Sequence, residues 1–184
     1  MKAAMASVQI ITISGLAGSG TTTVCDRLCA RLGWAYVNAG AVFRKLAQEA
    51  GVSLAEFGQR AEADGCIDRQ LDERLVEQAR ASAPVVVEGR LTGWMVQRHQ
   101  LPALKVWLQA ALAVRAERVG QREGKPVAQA LAETRQREAS EAQRYAEHHQ
   151  IAISDLSVYD LVVDTECCDP QAACAHILAR LDQP

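Results

Sequence analysis

Five short apolar runs recur along the chain, each too brief for a helix and most of them β-branched. They are Val8–Ser14, Trp34–Asn38, Val85–Glu88 (VVVE), Leu104–Leu108 (LKVWL) and Asp160–Asp164 (DLVVD). Runs of this length without polar alternation read as strands buried on both faces. Between them, apolar positions return at helical spacing over Thr22–Leu32, Ala41–Ala50, Ser53–Ala63, Asp68–Ala81, Leu112–Arg122, Val127–His148 and Pro170–Leu181. Strands alternating with helices predict βαβ units, and hence an α/β fold with a five-stranded parallel sheet flanked by helices. No internal repeat or low-complexity linker divides the chain, so a single domain over 1–184 is expected.

Two segments offer little core. Residues 38–83 are helical and polar, and residues 121–150 are helical and heavily charged. Solvated helices would look the same. Both segments, however, follow strands in the positions where open α/β sheets gather their ligand-binding elements, so arms closing over a substrate are the functional reading.

Composition narrows the classes. A net charge of −2 argues against a general nucleic-acid binder. No apolar stretch approaches membrane-spanning length, and the first apolar run leads into a glycine-rich loop rather than a cleavage site. Cys25, Cys29, Cys66, Cys167, Cys168 and Cys174 form no C-x-x-C pair. Free thiols in a reducing cytoplasm are expected, with no zinc site, no nucleic-acid or membrane partner, and a monomer. Sixteen of the twenty basic residues are Arg. Base-composition bias explains that excess as well as phosphate recognition does, so position has to decide.

The first strand ends in Ser14-Gly15-Leu16-Ala17-Gly18-Ser19-Gly20-Thr21-Thr22-Thr23. This almost spells G-x-x-x-x-G-K-[ST], with Thr21 in the lysine position. A phosphate loop works mainly through its backbone: the glycines turn N–H groups inward, and the next helix presents its positive end. Gly15, Gly18 and Gly20 remain, and Thr22 holds the hydroxyl position that ligates Mg²⁺. A plain strand–helix turn is the alternative. If phosphoryl groups are transferred here, other cations must replace the missing ammonium.

Arginines are the supply. Arg44 follows the second strand and Arg90 the third (VEGR). Arg115, Arg118 and Arg122 follow the fourth, with Arg118 and Arg122 on one helical face, and Arg137 and Arg144 lie in the charged segment. A solvated helix face explains Arg115 and the Arg137–Glu141 pair equally well. It explains Arg90 poorly, because Arg90 stands at the mouth of a buried strand. Glu88 ends the same strand, where a carboxylate holds Mg²⁺ or makes a buried ion pair with Arg90.

In order, ISGLAGSGTTT, NAGAVFR, EGRLTGW, LKVWLQAALAVRAERVGQREG, REASEAQRYAEHHQI and DLSVYDLVVDT resemble the archaeal-type cytidylate kinases over about Ile10 to Thr165. The likeness extends more thinly to bacterial cytidylate kinases, through AGAVFR beside their SGAMYR. Leu91 replaces an acidic residue of the bacterial DGRD, so the bacterial readout of the pyrimidine does not transfer. The resemblance implies that Thr21 is a variation within the family.

It further implies a P-loop nucleoside monophosphate kinase that makes ADP and CDP (or dCDP) from ATP and CMP (or dCMP), with Mg²⁺. Gly15, Ala17, Gly18, Ser19, Gly20, Thr21, Thr22 and Thr23 would hold the ATP phosphates, and Thr22 and Glu88 the metal. Residues 38–83 would form the monophosphate arm and 121–150 the lid. Gly40, Arg44, Gly89 and Arg90 would meet the acceptor phosphate; Arg90, Arg118, Arg122 and Arg137 would surround the transferred group. Arg144 and Asp160 would contact the cytidine. Two alternatives stay open: a kinase of another small acceptor (AMP, UMP or a metabolite), and a nucleotide-binding module without catalysis.

Overall fold

A computed structural model describes residues 8–183. Its strands are β1 (Ile10–Gly15), β2 (Ala35–Asn38), β3 (Val85–Glu88), β4 (Leu104–Gln109) and β5 (Leu161–Asp164). They form one parallel sheet in the order β2-β3-β1-β4-β5. The helices are α1 (Thr21–Leu32), α2 (Ala39–Glu49), α3 (Leu54–Ala63), α4 (Gly65–Ala81), α5 (Thr92–Arg98), α6 (Leu112–Glu123), α7 (Val127–His149) and α8 (Pro170–Leu181).

The continuous apolar runs are explained by what covers the sheet. On one face Ile11, Ile13, Val86, Val106 and Leu108 pack against Val24, Cys25 and Leu28 of α1 and Ala173 and Ile177 of α8. On the other, Ile10, Val85 and Val87 meet Val42 and Leu46 of α2, Phe57 of α3 and Leu75 and Ala79 of α4. Successive strand residues point to opposite faces, so both must be apolar.

The polar segment 38–83 forms α2–α4, and 121–150 runs from the end of α6 through α7. The two meet where Ser140 Oγ donates to Glu62 Oε1 at 3.2 Å. One helix, α5, was not expected. Its seven residues include buried Thr92, Gly93, Met95 and Val96, which leaves no polar stripe to reveal a helical period.

The chain order turns around β1, which lies between β3 and β4. The crevice at this switch point, beyond the carboxyl ends of the strands, is where open α/β sheets bind ligands.

Candidate active site

The glycine loop crosses that crevice. Ser19 Oγ and Ser19 N both donate to Leu16 O, at 2.8 and 3.1 Å, and close the turn. Gly18 and Gly20 hold φ of +84° and +89°, which only glycine adopts without strain. A Cβ on Gly15 would come within 2.7 Å of Leu108 O. Gly20 is the N-cap of α1 and makes no side-chain cap, so the first N–H groups of the helix point outward unsatisfied by any cap. That is an anion site by construction.

Glu88 faces this helix start. Its Oε1 accepts from Thr21 Oγ1 at 2.6 Å and from Thr22 Oγ1 at 2.8 Å. Its Oε2 accepts from the Tyr36 hydroxyl and from Asn38 Nδ2. Burial and the Glu88 contact push the Tyr36 phenol up from its ordinary pKa, which keeps it a donor. Thr21 therefore spends its hydroxyl on Glu88. Glu88 makes no ion pair with Arg90, which turns elsewhere.

Two clefts open from the loop. The first, of about 750 Å³, lies over Gly18 to Thr23 and is walled by Arg118, Arg122 and the turn from Thr165 to Pro170. Arg118 braces it. Its Nη1 donates to Gly18 O at 3.3 Å and Thr165 Oγ1 at 3.1 Å, and its Nη2 to Thr165 O at 2.7 Å. Thr165 Oγ1 in turn donates to Ser19 O at 3.0 Å.

The second cleft, of about 760 Å³, shares Gly18, Thr21, Thr22 and Arg122 with the first and runs between α2–α4 and α7. Gly40, Arg44, Glu88, Gly89, Arg90, Arg137 and Arg144 line it. Arg90 Nη1 donates to Gly15 O at 2.9 Å and Nε to Glu141 Oε2 at 3.0 Å. Arg137 Nε donates to the other Glu141 oxygen at 2.8 Å. Burial alone would raise the Glu141 carboxyl, but the two guanidinium groups outweigh it and hold it below the usual range. Gly89 must be small, because a Cβ there would stand 2.7 Å from Ala39 Cβ. Arg44 is exposed, its Nη1 lying over Gly40, and has no carboxylate partner among the described residues.

One expectation changes, and one open alternative is decided. Asp160 is not at this site. It precedes β5, accepts from Lys105 N at 2.8 Å and pairs with Lys105 Nζ at 3.2 Å. Lys105 lies near the start of β4, three residues below Leu108, which pairs with Gly15; that is ~10 Å down the strand. Only the family resemblance placed it at the site; preceding β5 in a parallel sheet, it stands at the amino ends of the strands, away from the crevice.

Arg115 is not surface decoration: it is 4% exposed. Its Nε donates to Ala110 O at 2.8 Å, its Nη1 to Ala17 O at 3.2 Å, and the guanidinium forks onto Glu138 of α7. It ties the loop to α7. His149 is buried, with Nδ1 3.2 Å from Asp72 Oδ2 and Nε2 3.6 Å from Asp68 Oδ2. Tyr36 was missed, since its partner Glu88 lies dozens of residues away, whereas Asn38, Asp68 and Asp72 fall in the segment 38–83 expected to form the monophosphate arm.

Comparison with known proteins gives the chain a family. The model of the "Cytidylate kinase-like family" matches residues 10–167. The chain is 47% identical to a cytidylate kinase of Pyrococcus abyssi over 173 residues, covering 94% of this chain and 93% of the relative. It is 50% identical to a cytidylate kinase of Methanococcoides burtonii over 157 residues, covering 85% and 87%. Among solved structures, a shikimate kinase from Aquifex aeolicus superposes with a TM-score of 0.61 at 19% identity, covering 94% of this chain and 96% of that one. A gluconokinase from Sinorhizobium meliloti gives 0.60 at 17%, covering 95% and 91%. The last two share the fold of this chain. A family match over most of the chain, and relatives this similar over nearly their whole length, establish that the protein belongs to the cytidylate kinase-like family.

Proposed function

We propose that the protein transfers the γ-phosphoryl group of ATP to CMP or dCMP, giving ADP and CDP or dCDP. One observation carries this reading: a phosphate loop opens onto two clefts at once, and arginines from four separate segments line the second. A protein that only bound nucleotide would need no second phosphate clamp.

The loop cleft takes ATP, its phosphates on the backbone N–H groups at the start of α1. In the other cleft Arg44 and Arg90 hold the acceptor phosphate, while Arg122 and Arg137 of that cleft and Arg118 of the loop cleft surround the group in transit. Arg90 reaches in with Nη2, which has no partner among the described residues. An ionised phosphate is already a nucleophile, so the arginines position it and offset charge instead of moving a proton.

The donor set beside the loop fits Mg²⁺. No group of three or more His, Cys, Asp or Glu among the described residues could cage a metal. Mg²⁺ needs none, since one carboxylate, a hydroxyl, phosphate oxygens and water suffice. Glu88 and Thr22 would supply the protein ligands, and the ion would offset charge between the outer phosphates.

Residues 38–83 act as the monophosphate arm and 121–150 as the lid. The activity is assigned to the cytoplasm and to a monomer; no described helix is long and apolar enough to cross a membrane.

The test is an ADP-release assay over CMP, dCMP, UMP and AMP. The proposal expects CMP or dCMP to give the highest kcat/KM. A higher value for another monophosphate replaces the acceptor, and ADP release no faster than with water removes the kinase.

A further inference from the structure

The Glu88 carboxylate meets the phosphate loop with its acceptor capacity already filled. A carboxylate offers about four lone-pair sites. Here the Thr21 and Thr22 hydroxyls take two on Oε1, and the Tyr36 hydroxyl and Asn38 Nδ2 take two on Oε2. The two sides differ in what they can give up. The threonine hydroxyls turn about a single bond at the open start of α1. On the other side Asn38 is fixed: its Oδ1 accepts from Ala41 N at 2.9 Å and caps α2, and its Nδ2 also donates to the Tyr36 hydroxyl at 3.1 Å. Swinging Asn38 away would uncap the helix.

Strand register puts Tyr36 within reach. In the parallel β2–β3 pair Asn38 lies opposite Glu88, and Tyr36, two residues back, points to the same face. Tyr36 stands on an edge strand, is 39% exposed and belongs to neither apolar core over the sheet. Its ring packs little, yet its hydroxyl turns inward onto Glu88. All four donors are also uncharged. A cation in place of Tyr36 would neutralise the carboxylate that a divalent ion needs, and Arg90 gives its Nη1 and Nε to Gly15 O and Glu141 instead.

We propose that Tyr36 is a positioning residue for the divalent cation: with Asn38 it holds Glu88 Oε2, and so presents Oε1 and the Thr22 hydroxyl together to the ion. This rests on the kinase reading above and adds what orients its metal ligands. When the site is loaded, the threonine hydroxyls turn and release Oε1, while Tyr36 and Asn38 keep Oε2 in place. Partners behind a metal ligand fix its orientation, and losing one costs about 10- to 100-fold in metal affinity. Tyr36→Phe belongs at the lower end, because Asn38 Nδ2 still donates to Oε2.

The experiment compares wild type, Tyr36→Phe, Glu88→Gln and the double variant. For each, electron paramagnetic resonance gives the Mn²⁺ affinity of the protein bound to a non-hydrolysable ATP analogue. Affinity for the analogue in EDTA, the Mg²⁺ requirement for CMP phosphorylation and the unfolding midpoint are measured beside it. Y36F should weaken Mn²⁺ binding and raise the Mg²⁺ requirement about 10-fold, with metal-free analogue affinity within about twofold of wild type. In the Glu88→Gln background the same change should add little, since Tyr36 acts through that carboxylate. Three results overturn the proposal: a Mn²⁺ affinity within about threefold of wild type, an undiminished effect of Y36F in the Glu88→Gln background, or a metal-free affinity or unfolding midpoint that collapses as well. The last would make Tyr36 a packing residue. The Mn²⁺ measurement needs no acceptor, so it decides the proposal even where CMP is not the substrate, and each of these results leaves the kinase reading standing. A wild type that binds no ATP analogue removes both.

Discussion

Replacing Arg115 with Met tests how the loop is fastened to the rest of the site. Methionine keeps much of the side-chain volume and removes the charge with all its donors. In the native protein those donors serve Ala110 O, Ala17 O and both oxygens of Glu138. The Arg115 side chain is 5% exposed and that of Glu138 19%, so the substitution leaves a largely buried carboxylate and two carbonyls unpaired. Breaking one side of a buried ion pair costs about 3–5 kcal/mol; the lower end applies here because Glu138 keeps some access to water. For a chain of this size about 3 kcal/mol lowers the unfolding midpoint by roughly 6–12 °C. Removing both partners, in Arg115→Met with Glu138→Leu, should cost less than Arg115→Met alone, since no orphaned charge remains. Thermal and urea unfolding of the two single variants and the double variant give a coupling energy, expected at about 1.5 kcal/mol or more. Additivity within about 0.5 kcal/mol would refute the reasoning, and Arg115 would then be an ordinary packing residue.

Gly18→Ala should lower both stability and ATP affinity, since it combines a φ of +84° with a Cβ that would clash with the Arg115 carbonyl oxygen. A cost of about 2–4 kcal/mol is expected in urea unfolding, with a higher KM for ATP. Asp72→Asn should stabilise the protein increasingly as pH rises. Burial pushes the Asp72 carboxyl from the ordinary 3.8 up to about 7, against the opposing pull of His149 and Arg98 and with Asp68 adding to it. A raised carboxyl favours the fold at low pH and opposes it as pH climbs from 3.8 through 7, so the gain should grow across that window and level off above it. The ceiling is about 4 kcal/mol, and unfolding midpoints from pH 4 to pH 8 measure it. A gain independent of pH would contradict the assignment.

The fold was legible because local pattern and global arrangement agree. The five apolar runs are strands buried on both sides, and the helical spacing between them marks their covering layers. The glycine loop was legible too, since its function resides in consecutive backbone positions. What stayed hidden involves partners far apart in the chain. Glu88 is joined by Tyr36, Asn38, Thr21 and Thr22, from two other segments. Arg115 sits on the same charged helix as the exposed Arg122; the glycine loop and α7 enclose the first, while the second pairs with its neighbour Glu123 at 2.8 Å. Asp68 and His149 look like ordinary helix residues until α4 packs against α7. Asp160 was placed by the family resemblance, although its position before β5 already sets it at the amino ends of the parallel strands.

The account turns on guanidinium groups carrying the charge that a lysine at position 21 would supply. Steady-state kinetics of Arg90→Ala and Arg44→Ala, beside the affinity of each for ATP, test this most directly. Losing a charged contact to phosphate costs about 1.5–3 kcal/mol for each hydrogen bond, so kcat/KM for CMP should fall about 100- to 1,000-fold in Arg90→Ala. ATP affinity should stay within about threefold, because the backbone of the loop is untouched. A kcat/KM for CMP that remains near the wild-type value in both variants would contradict the account.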